Sequence, residues 1–338
     1  MSVLENVKVE NLARIVEEST RSTKEGVKYF IEPAPGTLAR AKNKRHHIIF
    51  GRRGSGKSSL LAKVTADLTV NRSPIAYVDL EEFKGHSYPD VLLSVLIKTL
   101  SEFKAWMDSA AIHPSNRTSF WNKLFGASPS KKGFPRAKTA EISTELGAMI
   151  QELNAVLFAA DDAKVQTTRK GETAIELQTA LTAGGKVPVA SIESNLKSSE
   201  KGTQSTQTQQ EYTSRKIEIL HRNIMRYKGL FQRMTELADG PAFLLLDDLY
   251  HIRKADQAEV VDYLHRIAKG LNLWIKVGTI RHRSRWYMYS DPPRGMKLGD
   301  DAEEIDLDVT LEKYDLTKRF LLRILEQFAR EGKLFFDR

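Results

Sequence analysis

The chain contains no cysteine, which excludes disulfides, thiolate metal sites and cysteine nucleophiles. Its eight histidines show no HExxH or similar spacing, so a zinc enzyme is not expected. Long apolar runs are also missing. The longest, such as Phe243–Leu246, are strand-sized and far short of the roughly 20 residues that cross a bilayer. The opening residues MSVLENVKVE carry acids and no apolar signal-peptide core. A cytoplasmic protein without a membrane partner is the expectation. Acidic residues are in deficit, with 43 Asp and Glu against 52 Lys and Arg, a net charge of +9. That surplus suits an anionic partner, or simply a solvated basic surface.

The 338 residues suffice for one domain of roughly 200–250 residues and a large insertion. Residues 1–28 read as an N-terminal helix, with Leu4, Val7, Leu12, Ile15 and Val16 on one side. Within 29–107, a loop at Glu32–Gly36 leads to the strand His46–Phe50, a glycine-rich turn and a helix from Ser58 to Leu68. A second strand, Ile75–Leu80, and a helix from Pro89 to Trp106 follow.

The pattern breaks over 108–210. This insertion carries the basic run Lys131–Arg136, a helix from Lys138 to Phe158 and the polar stretch Lys201–Gln210. Thr173–Leu181 alternates, with Ile175, Leu177 and Leu181 on one side, so the segment reads as a hairpin arm or a flexible surface insertion. Order resumes over 211–309: a helix Glu211–Ala238, the strand Ala242–Asp247, a helix Asp256–Ala268, the strand Leu273–Thr279 and the alternating Glu304–Val309. Residues 310–338 hold an amphipathic helix, Leu316–Phe328. Strands alternating with helices predict an α/β fold, a parallel sheet with helices on both faces.

One segment carries the chemistry. Gly51-Arg52-Arg53-Gly54-Ser55-Gly56-Lys57-Ser58 fits the P-loop pattern G-x4-G-K-[ST] in its required setting of strand, loop and helix. Such a pattern arises by chance in on the order of 1% of chains this long. Glycines let the backbone curl so that successive N–H groups point at phosphate oxygens, and the helix adds its positive end. Gly51, Arg53, Gly54, Ser55, Gly56, Lys57, Ser58 and Ser59 are therefore the candidate nucleotide-binding residues. Lys57 would bridge the β- and γ-phosphates, the Ser58 hydroxyl would ligate Mg²⁺ and Ser59 would sit near the α-phosphate.

A P-loop requires a second strand ending in an acid beside the metal, and Leu244-Leu245-Leu246-Asp247-Asp248 supplies one. Asp247 would hold Mg²⁺ through water and Asp248 would position the attacking water. Because adjacent strand residues point to opposite faces, the reverse assignment stays open. The strand Trp274–Thr279 runs into Ile280-Arg281-His282-Arg283, making Thr279 and Arg281 candidate γ-phosphate sensors; a basic surface loop with Arg283, Arg285, Trp286 and Tyr287 is the competing reading. Asp79 ends its strand beside Glu81 and Glu82 and reads as a helix cap or a surface group rather than a catalytic acid. Pro33 or Pro35, ahead of the P-loop strand, are positioned to line a base pocket.

GRRGSGKSSLL after HHIIF, then FLLLDDLY, then WIKVGTIRHRS before EIDLDV together resemble the AAA+/STAND branch of P-loop ATPases. Within that branch the chain is similar to bacterial ATPases related to origin-recognition and replication-initiator proteins. The resemblance covers roughly 29–107 and 211–328. It implies an additional-strand P-loop NTPase fold: five parallel strands, with the Thr279 strand between the P-loop and Asp247 strands, and a partial C-terminal helical lid. It also implies slow Mg-ATP hydrolysis coupled to self-assembly or a protein partner, in defence-type signalling or, alternatively, on DNA. Paired aspartates, where many AAA+ members carry Asp-Glu, are more like STAND switches.

Overall fold

The computed structural model describes residues 7–19, 27, 30–70, 72–112, 134–182, 193–308 and 312–331. Its centre is a five-stranded parallel sheet built from β1 (His47–Phe50), β2 (Ile75–Asp79), β3 (Ala242–Asp247), β4 (Leu273–Thr279) and β7 (Glu303–Asp306). The spatial order is β2-β3-β4-β1-β7, so the Thr279 strand lies between the Asp247 strand and the strand that feeds the glycine-rich turn. Phe50 is in register with Thr279 and with Asp306, and Asp79 with Asp247. The carboxyl ends of all five strands therefore meet along one edge of the sheet.

The strands are short apolar runs because both sheet faces are covered. Alternate residues go to opposite sides: Ile49, Phe243, Leu245 and Ile305 face a cluster with Leu60, Leu61 and Val64 of α3 (Lys57–Val70). Ile48, Leu244, Leu246, Ile275 and Val277 face a larger core with α4 (Asp90–Ile112) and α7 (Gln257–Ala268). Each such buried aliphatic side chain contributes roughly 1.5–3 kcal/mol relative to exposure. Ahead of the sheet lie α1 (Val7–Ser19) and α2 (Thr37–Lys42), and α8 (Tyr314–Glu331) follows β7 and packs on α1.

The insertion holds two long helices, α5 (Arg136–Thr182) and α6 (Glu193–Ala238). Thr173–Leu181, for which a hairpin arm was one expectation, lies inside α5. Its Ala, Glu, Leu and Gln residues are strong helix formers, and no turn residue divides the segment. Likewise, Lys201–Gln210 lies within α6, upstream of the Glu211 start expected for that helix. The inner halves are rooted in the domain. Phe103 of α4 meets Phe231 of α6 edge-on at 5.3 Å. Lys216 Nζ donates to Asp90 Oδ1 at 2.8 Å and to the Leu157 carbonyl at 3.0 Å, tying α6 to α4 and α5. Of the basic run, Lys131–Gly133 fall outside the described residues; Phe134 packs on Trp106 at 5.4 Å, with the Arg72 guanidinium 4.0 Å above its ring.

Candidate functional site

At the carboxyl edge of the sheet, β1 ends and the chain turns through Gly51–Gly56 into α3. Gly54 and Gly56 have φ of 82° and 89°, a left-handed conformation that side chains resist. Gly51 is fixed by a different constraint: a Cβ there would lie 2.1 Å from Ser55 Oγ. The loop is closed by its own lysine. Lys57 Nζ donates to the carbonyls of Gly51 and Arg52, both at 3.0 Å, and the side chain is 5% exposed. Burial lowers the Lys57 pKa, while Asp248 and Asp247 act in the opposite direction.

Asp247 projects from the last residue of β3 on the α3 side of the sheet, the same side as Leu245. Its Oδ2 accepts from the Tyr77 hydroxyl at 2.6 Å, and Ser58, at the head of α3, lies beside the same carboxylate. The residue is 2% exposed and Oδ1 is buried without a partner. Burial pushes its pKa up, Tyr77 and Ser58 pull it back, and Asp79 adds repulsion. Gly278 makes room for it, because a Cβ there would come within 2.8 Å of Oδ1.

Asp248 adopts φ 54° and ψ 50°, a left-handed conformation that a non-glycine residue holds at a cost. Its Oδ1 is likewise buried and unpartnered, as is Ser55 Oγ. Burial and the neighbouring Asp247 both raise its pKa, and the charge of Lys57 and the nearby Tyr250 hydroxyl lower it. Burial and Asp248 push Tyr250 up to about 12.

The two sensor candidates part company. Thr279 is fully buried, at the end of β4 between the loop strand and the Asp247 strand, and its hydroxyl pairs with that of Ser284. Arg281 turns toward the sheet edge instead. It forms ion pairs with Glu304 and with Asp306 (3.1 Å), lies 3.9 Å over the Phe50 ring, and Glu304 raises its pKa. Of the two readings of Asp79 the structure shows the cap: it accepts from the Glu81 N–H at 2.9 Å. Arg53 is exposed and electrostatically close to Tyr250. Pro33 is half-buried and Pro35 exposed in the turn before α2, which packs on α3.

Four residues at this edge carried no sequence signal: Tyr77, Tyr250, Ser284 and Asp308. Asp308 accepts from the Arg52 N–H at 2.9 Å, so the segment after β7 is fastened to the loop. Among the described residues no three His, Asp or Glu side chains cluster as a metal site, and no described helix is long and apolar enough to cross a membrane. In comparisons with known proteins, no family model, curated protein or solved structure matches the chain.

Proposed function

We propose that this chain is an additional-strand P-loop ATPase of the AAA+/STAND type, a molecular switch that binds Mg-ATP and hydrolyses it slowly. The observation that carries the reading is the buried Asp247 Oδ1, which has no partner although Ser58 contacts the same carboxylate. An unpaired buried carboxylate oxygen is costly, and a cation held at the head of α3 relieves that cost. Protein donors alone are too few to hold Mg²⁺ here. Ser58 and Asp247 suit a site that nucleotide phosphates complete. When bound, the ion supplies positive charge to the phosphates.

The chain's own groups then have distinct tasks. Backbone N–H groups of the Gly51–Ser58 turn bind phosphate oxygens, and Lys57 exchanges the Gly51 and Arg52 carbonyls for them. Asp248 orients water, held by its strained backbone and by Tyr250. Thr279 acts as the γ-phosphate sensor, its hydroxyl already fixed by Ser284. Arg281 is engaged with Glu304 and Asp306, which favours Thr279 of the two.

The insertion is the route to self-assembly or a protein partner. Only Asp239-Gly240-Pro241 separate α6 from the strand that ends in Asp247, so a displacement of that strand reaches α6 directly. Binding of a fluorescent ATP analogue with Mg²⁺ tests the reading. Lys57→Ala is expected to weaken it roughly 10- to 100-fold, the value of a charged hydrogen-bond set; unchanged binding and turnover would sink it. Particle size with and without a non-hydrolysable analogue tests the switch.

A further inference from the structure

The segment Arg283–Tyr289, which follows β4 and contains β5 (Tyr287–Met288), paired antiparallel with β6 (Arg294–Gly295), has no task in the proposed ATPase beyond Ser284. Its side chains divide by position. Ser284 is buried against Thr279, and Trp286 turns inward to meet the Phe50 ring edge-on at 4.7 Å. The residues between and beyond them, Arg283, Arg285 and Tyr289, are exposed, Tyr289 at 86%. Tyr287 is half-buried and braces Tyr289 edge-on, ring centroids 4.9 Å apart.

This display is rigidly mounted. The Arg285 N–H donates to Gln257 Oε1 at 2.6 Å and the Gly295 N–H to Asp262 Oδ1 at 3.1 Å, both on α7. The Met296 N–H donates to the Trp286 carbonyl at 3.0 Å, and Arg294 pairs with Glu259. A Cβ at Gly295 would lie 2.1 Å from the Trp286 carbonyl oxygen, so the close crossing of the two chains requires glycine. Nearby cations are mostly neutralised: Arg281 by Glu304 and Asp306, Arg294 by Glu259, Lys297 by Asp300. Among the described residues, the Arg283 and Arg285 side chains have no ion-pair partner.

We infer that Arg283, Arg285 and Tyr289 form a binding surface for single-stranded nucleic acid. Two unpaired guanidiniums suit successive phosphates, and an exposed, braced tyrosine ring is a stacking platform for an unpaired base. A duplex would satisfy the arginines but keeps its bases stacked on one another, leaving the tyrosine without a partner. The chain's net charge of +9 favours the same polyanion. The surface adjoins the candidate ATP site through Phe50, which Trp286 and Arg281 both contact one residue before Gly51.

Fluorescence anisotropy with labelled dT20 and U20, full-length protein and no nucleotide tests this separately from the ATPase reading. Saturable binding is expected, weakening with salt. Tyr289→Ala should cost five- to a hundredfold in affinity with an unchanged salt slope, and Tyr289→Phe should keep parental affinity. Arg283→Ala/Arg285→Ala should weaken binding and make the log–log salt slope shallower by about 1.4, two phosphate contacts' worth. All three positions are exposed, so thermal unfolding should match the parent and loss of binding would not reflect misfolding. No binding of either oligonucleotide, binding that neither variant alters, a preference for duplex, or equal competition by mononucleotide would each overturn the inference.

Discussion

Replacing Asp247 by Asn separates what the folded protein tolerates from what its ligand needs. The carboxylate is 2% exposed, with one oxygen accepting from Tyr77 and the other unpartnered. A charge taken out of water costs several kcal/mol even after relaxation. The hydrogen bond from Tyr77 returns part of it, and it would weaken by about 1 kcal/mol on going from a charged to a neutral acceptor. The balance favours Asp247→Asn by about 1–3 kcal/mol in the ligand-free protein. The sign with pH follows from the raised pKa. The folded chain retains the Asp247 proton longer than the unfolded one, so the charge penalty is absent in acid. It grows as pH rises from 3.8 through the folded pKa. The gain from Asn should therefore be largest at neutral pH and vanish below the ordinary carboxylate range. Mg-ATP should reverse the ranking, because a ligand at 100 times its Kd adds about 2.7 kcal/mol to the parent and little to the variant. Urea unfolding followed by tryptophan fluorescence, at pH 4 and 7.5 and with and without Mg-ATP, reads all four quantities. A variant less stable than the parent without ligand, or equally stabilised by Mg-ATP, would refute the reasoning.

Asp248→Ala should bind Mg-ATP within a fewfold of the parent and lose single-turnover hydrolysis, because a water-orienting group acts on the chemical step; turnover at the parental rate would exclude that role. Gly51→Ala should lower nucleotide affinity by tenfold or more through the clash with Ser55 Oγ at 2.1 Å, and Ser55→Gly in the same chain should recover part of it, both read by titration. Burial lowers the His46 pKa to about 4 and the His47 pKa to about 3; His46 Nδ1 accepts from the buried Ile275 N–H at 3.0 Å and so needs a neutral ring. As pH falls below 6.5 the unfolded chain takes up these protons first, so stability should decline from pH 6.5 toward 4, and His46→Asn should flatten that decline in denaturation curves. Replacing residues 163–210 with a short Gly/Ser linker should preserve ATP binding, measured by the same titration, and weaken association; lost binding would mean that the segment belongs to the core.

The glycine-rich turn, the five strands and the acid pair were readable in the chain because each rests on local physics. Glycine spacing, short apolar runs and a terminal acid do not need a partner to be recognised. The insertion was less legible. Alternation in Thr173–Leu181 is compatible with a strand, and the competing helix-forming tendency of the same residues prevailed over the length of α5. What the sequence could not hold was neighbourhood. Tyr77 and Asp247 are 170 positions apart, and only the parallel register that sets Asp79 beside Asp247 brings the phenol to the carboxylate. The sequence placed Asp247 and Asp248 side by side; the sheet turned Asp247 toward Ser58 and α3, and bent Asp248 into a left-handed conformation. Arg281 looked free in the chain, and it was β7, paired on the far side of β1, that supplied Glu304 and Asp306 to draw it away from the loop. Residue type and spacing are local properties of the chain. Charge pairing, burial and the vacant oxygen of Asp247 depend on which strands lie next to one another, and tertiary structure alone decides that.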